Sequence, residues 1–170
     1  GLVVVVSPLL ALMRDQAERL DDAGVEGARL DSTVPAAQQK RVESELVEGL
    51  HDVVLVTPER LQSPEALEPL RARGVALLVV DEAHCVSQWG RDFRPAYLGL
   101  REAIRALGRP PVMALTATAP PDLAQDILAS LGIEGADVVQ TGIERDNLHF
   151  EVRRTVSREE KERALLALLE

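Results

Sequence analysis

The chain of 170 residues has the length of one domain, and its 46% hydrophobic and 28% charged residues are typical of a globular protein and exclude a disordered or fibrous one. It holds no apolar stretch as long as a bilayer span and no secretion signal at its start. Its one cysteine, Cys85, excludes an internal disulfide, so we expect a cytoplasmic protein, nucleoid-associated if bacterial. The net charge of −9 argues against a protein that coats nucleic acid by bulk attraction.

Short apolar runs alternate with amphipathic segments along most of the chain. The runs predict strands at residues 2–6, 28–30, 53–56, 76–80, 112–115 and 138–141, of which the second is the weakest. Glycines suited to a left-handed helix cap close the helical patterns between them: Gly24, Gly49, Gly74, Gly108 and Gly132. Ser63 before Pro64 gives a helix start. The alternation predicts an α/β fold with a mostly parallel sheet and helices on both faces.

The last stretch of the chain has a different pattern. A polar, turn-rich segment follows residue 141, and a strand is predicted at residues 148–152. Ser157 and Glu160 form a capping box that opens a helix. Two interpretations are equally favoured: a linker near Gly142 that leads into a second domain, or one more strand and helix of the same sheet.

Two adjacent carboxylates follow the evenly apolar run at residues 76–80. A run of this kind suits a strand buried on both faces of a parallel sheet, so Asp81 and Glu82 should emerge at its carboxyl end, where ligands bind in open α/β sheets. One carboxylate there can hold Mg²⁺, and its neighbour can take a proton from an attacking water. The pair therefore indicates phosphate chemistry.

Three further strand exits carry polar turns. Ser7 and Pro8 leave the first strand, Thr57 and Arg60 follow another, and the small residues 114–119 follow a third. Hydroxyls, free helix N–H groups and an arginine can bind anions, but each turn alone is ordinary turn chemistry. Their shared edge with the two carboxylates is what favours a functional role.

Aromatic residues follow the carboxylates at spacings of four. Trp89, Phe93 and Tyr97 would form one stripe of a helix, but Gly90 and Pro95 interrupt it, so we predict a loop. With its arginines, such a loop can stack bases and contact phosphates. We predict that Tyr97 lies in the core and that Trp89, Phe93 and the adjacent Arg94 have a functional role. The alternative is that Trp89 and Phe93 pack under the loop as a small separate core.

The segment from residue 86 to residue 109 is basic within an acidic chain. It holds five arginines against two acidic residues, Asp92 and Glu102: Arg91, Arg94, Arg101, Arg105 and Arg109. Much of this charge can belong to a solvated helix face.

Five segments resemble, in order, consecutive motifs of the RecQ family of superfamily 2 DNA helicases. They are residues 7–16 (Ser-Pro-Leu-Leu-Ala-Leu-Met-Arg-Asp-Gln), 57–61 (Thr-Pro-Glu-Arg-Leu), 81–90 (Asp-Glu-Ala-His-Cys-Val-Ser-Gln-Trp-Gly), 92–95 (Asp-Phe-Arg-Pro) and 114–119 (Ala-Leu-Thr-Ala-Thr-Ala). The resemblance covers nearly the whole chain. Its most specific part is Asp-Glu-Ala-His followed directly by the aromatic loop, which a generic helicase with Asp-Glu-Ala-His would lack.

The resemblance implies part of an ATP-dependent 3′–5′ DNA helicase of repair and recombination, with an incomplete RecA-like fold of the P-loop NTPase type. ATP and Mg²⁺ would be the cofactors, with Asp81 holding the metal, Glu82 polarising the attacking water, and His84 relaying between nucleotide and loop. The residues that couple DNA to hydrolysis would be Gln88, Trp89, Arg91, Phe93, Arg94, Thr116 and Thr118. The residues along the DNA track would be Ser7, Pro8, Gln16, Thr57 and Arg60. The partners would be single-stranded DNA, duplex junctions and the remainder of the helicase chain.

The sequence also departs from the family. Arg91 stands where the family often has His, and Ala96 stands where an acidic residue is usual. A phosphate-cradling loop of the form Gly-x-x-x-x-Gly-Lys-Ser/Thr is absent from the sequence. We therefore expect a fragment, with residues 1–142 as a partial first RecA-like domain and residues 143–170 as a linker and the first strand and helix of a second one.

The expected fragment has consequences for stability and activity. Loss of a central strand would expose backbone groups along two neighbouring strands and leave the isolated chain poorly stable and unable to hydrolyse ATP. The first alternative function is a nucleic-acid-binding module without ATPase activity. A metal-dependent hydrolase that uses Asp81, Glu82 and His84 ranks lower, because no further ligands converge in the sequence.

Overall fold

The computed structural model describes residues 1–87, 93–117, 120–140 and 147–168. The strands are β1 (Leu2–Val6), β2 (Gly27–Leu30), β3 (Val53–Val56), β4 (Val75–Val80) and β5 (Val112–Ala114). The α-helices are α1 (Leu10–Asp22), α2 (Ala36–Glu48), α3 (Pro64–Arg73), α4 (Leu100–Ala106), α5 (Pro121–Leu131) and α6 (Arg158–Leu166). The chain divides into two compact units, Gly1–Val138 and Val139–Glu170.

The first unit is built on one parallel five-stranded sheet in the order β2-β3-β1-β4-β5. Val6 of the central strand β1 pairs with Val56 on one side and with Val80 on the other. The parallel α/β fold and its five strands, with ends within a residue of the predicted ones, are therefore confirmed. Because the strands are parallel, their carboxyl ends all lie at one edge of the sheet and their amino ends lie at the opposite edge.

The core explains why the central strands are evenly apolar. Leu2, Val4 and Val6 of β1 are fully buried, and the alternate residues Val3 and Val5 are half-buried, so neither face of this strand meets open solvent. Removing one such valine or leucine side chain from water contributes about 1.5–3 kcal/mol. An alternating pattern of apolar and polar residues would expose one face and lose this contribution.

Local signals fix several helix ends as predicted. Ser63 Oγ accepts a hydrogen bond of 3.3 Å from the Ala66 amide at the start of α3. Gly49 closes α2 with a φ of +83°, a left-handed conformation that a side chain would strain. None of the helices in the described ranges is long and apolar enough to cross a membrane.

The predicted gap in the sheet is not seen. The five strands pair without interruption, so the expectation that two neighbours of a lost central strand would be exposed is wrong for the described strands. Apolar side chains are exposed instead at the edge strand β5 and directly after it, where Met113 is 48% and Leu115 is 46% exposed. The sequence does not reveal which strand lies at the edge, because the order of strands in a sheet differs from their order along the chain.

The second unit contains α6 and extended segments. Ser157 Oγ accepts from the Glu160 amide, and the Glu160 carboxylate accepts from the Val156 amide one residue before the cap. The predicted strands at 138–141 and 148–152 are wrong at their described residues, which are not in strands. Phe150 is 90% and Val152 is 99% exposed, so strand propensity there has no paired edge to stabilise it.

The two interpretations of the last stretch fare differently. Within the described residues no sixth strand joins the sheet of the first unit, so the interpretation as one more unit of that sheet gains no support. The division between Val138 and Val139 lies close to the predicted linker at Gly142. The assignment of residues 143–170 to a second RecA-like domain stays a prediction.

Candidate functional site

The carboxyl ends of four strands bring the polar exits together, as the sequence predicts. The Ser7 amide donates to Val56 O at 3.1 Å, and the Asp81 amide donates to Val6 O at 2.9 Å. The Leu115 amide donates to Val80 O at 2.8 Å. The ladder therefore continues one residue past each strand, and it aligns the exits of β1, β3, β4 and β5 along one rim.

Asp81 lies at the centre of this rim as a half-buried carboxylate. Its Oδ1 accepts from the Glu82 amide at 2.9 Å, and its Oδ2 accepts a long hydrogen bond of 3.5 Å from Ser7 Oγ. Within the described ranges no arginine, lysine or histidine forms an ion pair with it. An uncompensated carboxylate with hard oxygen donors fits a divalent cation such as Mg²⁺.

Glu82 is held in a conformation that non-glycine residues rarely adopt. Its φ is +49°, in the left-handed region, which costs on the order of 1–3 kcal/mol and persists only when neighbouring contacts enforce it. The Ala83 amide supplies such a contact, donating to Leu115 O at 2.8 Å. The backbone turn is therefore tied to the exit of β5.

His84 joins the second carboxylate to that exit through its side chain. Its Nδ1 lies 3.2 Å from Glu82 Oε2 and 3.0 Å from Thr116 Oγ1. In the tautomer that carries a proton on Nδ1, the ring can donate to both oxygens. The three side chains form a continuous polar link between two strand exits.

The described part of the aromatic loop is anchored to the same rim. The Arg94 amide donates to Cys85 O at 3.0 Å, and Arg94 Nη1 donates to Pro8 O at 3.0 Å. Arg94 thus connects the 3₁₀ turn Ala83–Val86 with the exit of β1. Phe93 and Arg94 are half-buried.

The predicted DNA-track residues fall into two groups. Ser7 and Thr57 are buried at the rim, and Pro8 is half-buried beside them. Gln16 lies on α1, half-buried. Arg60 lies in the 3₁₀ turn after β3 and donates through Nη2 to Glu43 Oε1 at 3.0 Å, so its charge is matched within the fold.

A family model matches residues 1–127, and its description is DEAD/DEAH box helicase. The chain belongs to this helicase family. It is 42% identical over 153 residues to the ATP-dependent DNA helicase RecQ of Bacillus subtilis, an alignment that covers 89% of the chain and 26% of the relative. It is 37% identical to the probable ATP-dependent DNA helicase RecS of the same organism, over 100% of the chain and 34% of the relative.

Solved helicases share the fold of this helicase-family chain. The helicase MrfA bound to DNA superposes with a TM-score of 0.57 at 16% identity, over 76% of the chain and 18% of that protein. The Hef helicase domain of Pyrococcus furiosus superposes with a TM-score of 0.53 at 22% identity, over 79% and 28%. The predicted RecQ resemblance and RecA-like fold are confirmed, and the chain spans a quarter to a third of the length of the two Bacillus relatives.

Several predicted site residues lie outside the described ranges. These are Gln88, Trp89, Arg91 and Thr118. Among the described residues, no group of three or more His, Cys, Asp or Glu side chains could hold a metal ion, so the alternative of a metal-dependent hydrolase gains no support. The other predicted roles stay predictions, since no measured contact with a nucleotide or DNA bears on them.

Sequence reasoning missed two residues of this region. The sequence predicts Tyr97 in the core, which its complete burial confirms, and in the structure its hydroxyl also donates to Asp81 O at 2.9 Å. Burial is the main cause that raises the pKa of the Tyr97 phenol, so it stays a donor across the physiological range. Glu43 was not singled out, because a glutamate on an amphipathic helix carries no signal for its partner.

Tyr97→Phe should destabilise the protein by removing the hydroxyl that satisfies this carbonyl. A buried acceptor left without a donor costs about 1–3 kcal/mol, and each kcal/mol lowers the Tm by about 2–4 °C in a protein of 150–250 residues. Thermal unfolding followed by circular dichroism measures the shift. An unchanged Tm would mean that the Asp81 carbonyl does not depend on this hydroxyl.

Proposed function

We propose that the chain is part of an ATP-dependent DNA helicase that hydrolyses ATP at the rim and couples hydrolysis to 3′–5′ movement on DNA. The single observation that carries this proposal is the arrangement of Asp81, Glu82 and His84. Asp81 pairs with no cationic side chain in the part of the chain that the structure describes, and it stands beside the conformationally strained Glu82. His84 links Glu82 to the exit of β5. Family membership supports the same activity.

Each carboxylate has a distinct role in hydrolysis. Asp81 would hold Mg²⁺, mainly through water, and the cation would neutralise charge on the phosphates of ATP when bound. Glu82 would accept a hydrogen bond from the attacking water and take its proton as the water oxygen bonds to the γ-phosphorus. The bond from the γ-phosphorus to the bridging oxygen would break in the same step, and ADP would leave. His84 holds the Glu82 carboxylate in place through Oε2, which would orient Oε1 toward the attacking water.

Coupling to DNA would run through the two segments that flank the carboxylates. The Thr116 hydroxyl bonds His84, so displacement of the β5 exit would move Glu82 as well. Arg94 ties the end of the aromatic loop to Pro8. DNA would contact Gln88, Trp89, Arg91, Phe93 and Arg94 on the loop, and Thr118 would act with Thr116. In this proposal residues 143–170 begin the second RecA-like domain, and the protein works in the cytoplasm.

Arg60 would meet DNA in competition with Glu43. Its guanidinium is already paired at 3.0 Å, so a backbone phosphate must displace a carboxylate to bind it. Glu43 therefore weakens Arg60 as a phosphate ligand in the free protein.

Glu43→Gln should strengthen binding of single-stranded DNA by releasing Arg60. The ion pair is partly exposed, so the expected gain is modest, up to about fivefold in Kd at low salt. Fluorescence anisotropy with a labelled oligonucleotide measures it. Glu48→Gln on the same helix removes an exposed carboxylate away from Arg60, and equal affinities of the two variants would contradict the competition.

ATP turnover of the intact protein separates the proposed motor from a binding module. With Mg²⁺ and single-stranded DNA, the motor should hydrolyse ATP faster than with Mg²⁺ alone. The chain of 170 residues by itself should not hydrolyse ATP, because it has no Gly-Lys-Ser/Thr phosphate loop. DNA binding by the intact protein without any ATP turnover would favour the module.

A further inference from the structure

Three arginines of the basic segment line a pocket that takes no part in the site described above. Arg101, Arg105 and Arg109 line an open pocket of about 110 Å³ between α4 and the end of α5, together with Gly132 and Glu134. The chain passes from the end of α4 into the amino end of β5. The pocket therefore lies at the edge of the sheet opposite the rim that carries Asp81.

Arg101 forms one wall of this pocket. Its Nη1 donates to Ala129 O near the end of α5 at 3.3 Å, and its Nη2 lies 3.8 Å from Glu134 Oε1. Gly132 makes this approach feasible, since a Cβ there would come within 3.0 Å of Arg101 Nε. Arg101 is thus held in place by the fold rather than left mobile.

Of the other two arginines, Arg105 would exchange an exposed carboxylate partner for a ligand, and Arg109 has no such partner within the described ranges. Arg105 Nη1 pairs with Glu102 at 2.7 Å, and both side chains are largely exposed. Arg109 is exposed, and within the described ranges its side chain forms no ion pair or hydrogen bond. The pocket lining holds three guanidinium groups and one carboxylate, that of Glu134, so its net charge is positive although the chain has a net charge of −9.

The backbone of Arg109 gives a second, independent observation. Its φ is +56°, directly after Gly108 at +83°, so two consecutive residues are left-handed. A side chain in this conformation costs about 1–2 kcal/mol that glycine would avoid. The turn needs no arginine for its shape, which favours a role for the guanidinium.

We propose that Arg105 and Arg109, backed by Arg101, bind one phosphate group in this pocket. The planar guanidinium fork matches phosphate oxygens in a way that an ammonium group does not. The pocket has room for a tetrahedral anion such as phosphate. The phosphate is either free in solution or projects inward from a DNA backbone, and the site itself does not depend on the proposed helicase activity.

Calorimetric titration of the intact protein with inorganic phosphate tests the site. Arg105→Ala and Arg109→Gly should each raise the Kd about tenfold, and the double variant should lose the binding. Glycine accepts the left-handed turn, so Arg109→Gly should keep or raise the Tm. Arg19→Ala on α1 removes an exposed arginine elsewhere and should bind phosphate as the unsubstituted protein does.

A salt titration of DNA binding identifies the source of the phosphate. If the ligand is a DNA backbone phosphate, the double variant should lower the slope of log Kd against log salt by about one, the value for one phosphate contact. Loss of inorganic phosphate binding with an unchanged slope assigns the pocket to a free phosphate. Equal phosphate binding and equal slopes in the double variant and in Arg19→Ala would show that the pocket does not bind phosphate.

If the unsubstituted protein neither binds DNA nor hydrolyses ATP, the proposed function fails and the calorimetric result stands.

Discussion

Glu82→Gln in the intact protein should lower DNA-stimulated ATP turnover by about 10²–10⁴-fold while ATP binding survives. The amide keeps the size and the polar contacts of the carboxylate but cannot accept a proton from water. Its φ of +49° is set by the backbone turn, so the substitution leaves that turn in place. Steady-state phosphate release gives the turnover, and binding of a fluorescent ATP analogue gives the affinity.

A matched variant separates loss of the base from loss of negative charge. Glu18→Gln removes an exposed carboxylate from α1 and should leave turnover unchanged. Turnover of Glu82→Gln equal to that of Glu18→Gln would remove Glu82 from the chemistry. A parallel loss of ATP affinity would instead indicate a collapsed site.

His84→Ala should reduce the stimulation of ATP turnover by DNA more than it reduces basal turnover. The His84 ring lies within hydrogen-bond reach of both Glu82 and Thr116, so its loss removes this link between the carboxylate and the exit of β5. Thr116→Val removes the hydroxyl at nearly constant volume and should cause the same kind of defect. We expect at least about a tenfold loss of stimulation, the equivalent of 1.4 kcal/mol.

The double variant decides whether the two residues act together. If the link carries the coupling, His84→Ala with Thr116→Val should lose little more stimulation than either single variant, with an interaction energy of about 0.5–3 kcal/mol. His84→Gln keeps a side-chain donor and should restore part of the stimulation. Additive losses, or equal losses of basal and stimulated turnover, would mean that the contact is structural.

The sequence predicts the elements best where local chemistry and tertiary packing agree. The apolar runs of β1, β3 and β4 can only be stabilised between other layers, and their bounds follow from the runs themselves. Ser63 and Ser157 cap helices as predicted, because a hydroxyl needs only the amide three residues on. The placement of Asp81 and Glu82 at the rim follows from the same parallel order.

Features set by distant partners could not be predicted. Residues 148–152 have the pattern of a strand, but the pattern does not supply a neighbouring edge, and Val152 remains exposed. The pairing of Arg60 with Glu43 depends on how α2 lies against the turn after β3. The hydrogen bond from Tyr97 to the Asp81 carbonyl likewise requires knowledge of a contact across 16 residues of chain.

A crystal structure of the intact protein with Mn²⁺ in place of Mg²⁺ and a non-hydrolysable ATP analogue would show whether the nucleotide and its metal bind at the rim beside Asp81 and Glu82. Anomalous scattering locates the metal independently of the phosphates. The metal should lie within one water of the Asp81 carboxylate, and the Glu82 carboxylate should lie within hydrogen-bond reach of the water that faces the γ-phosphate. A γ-phosphate and metal bound away from this rim would contradict it.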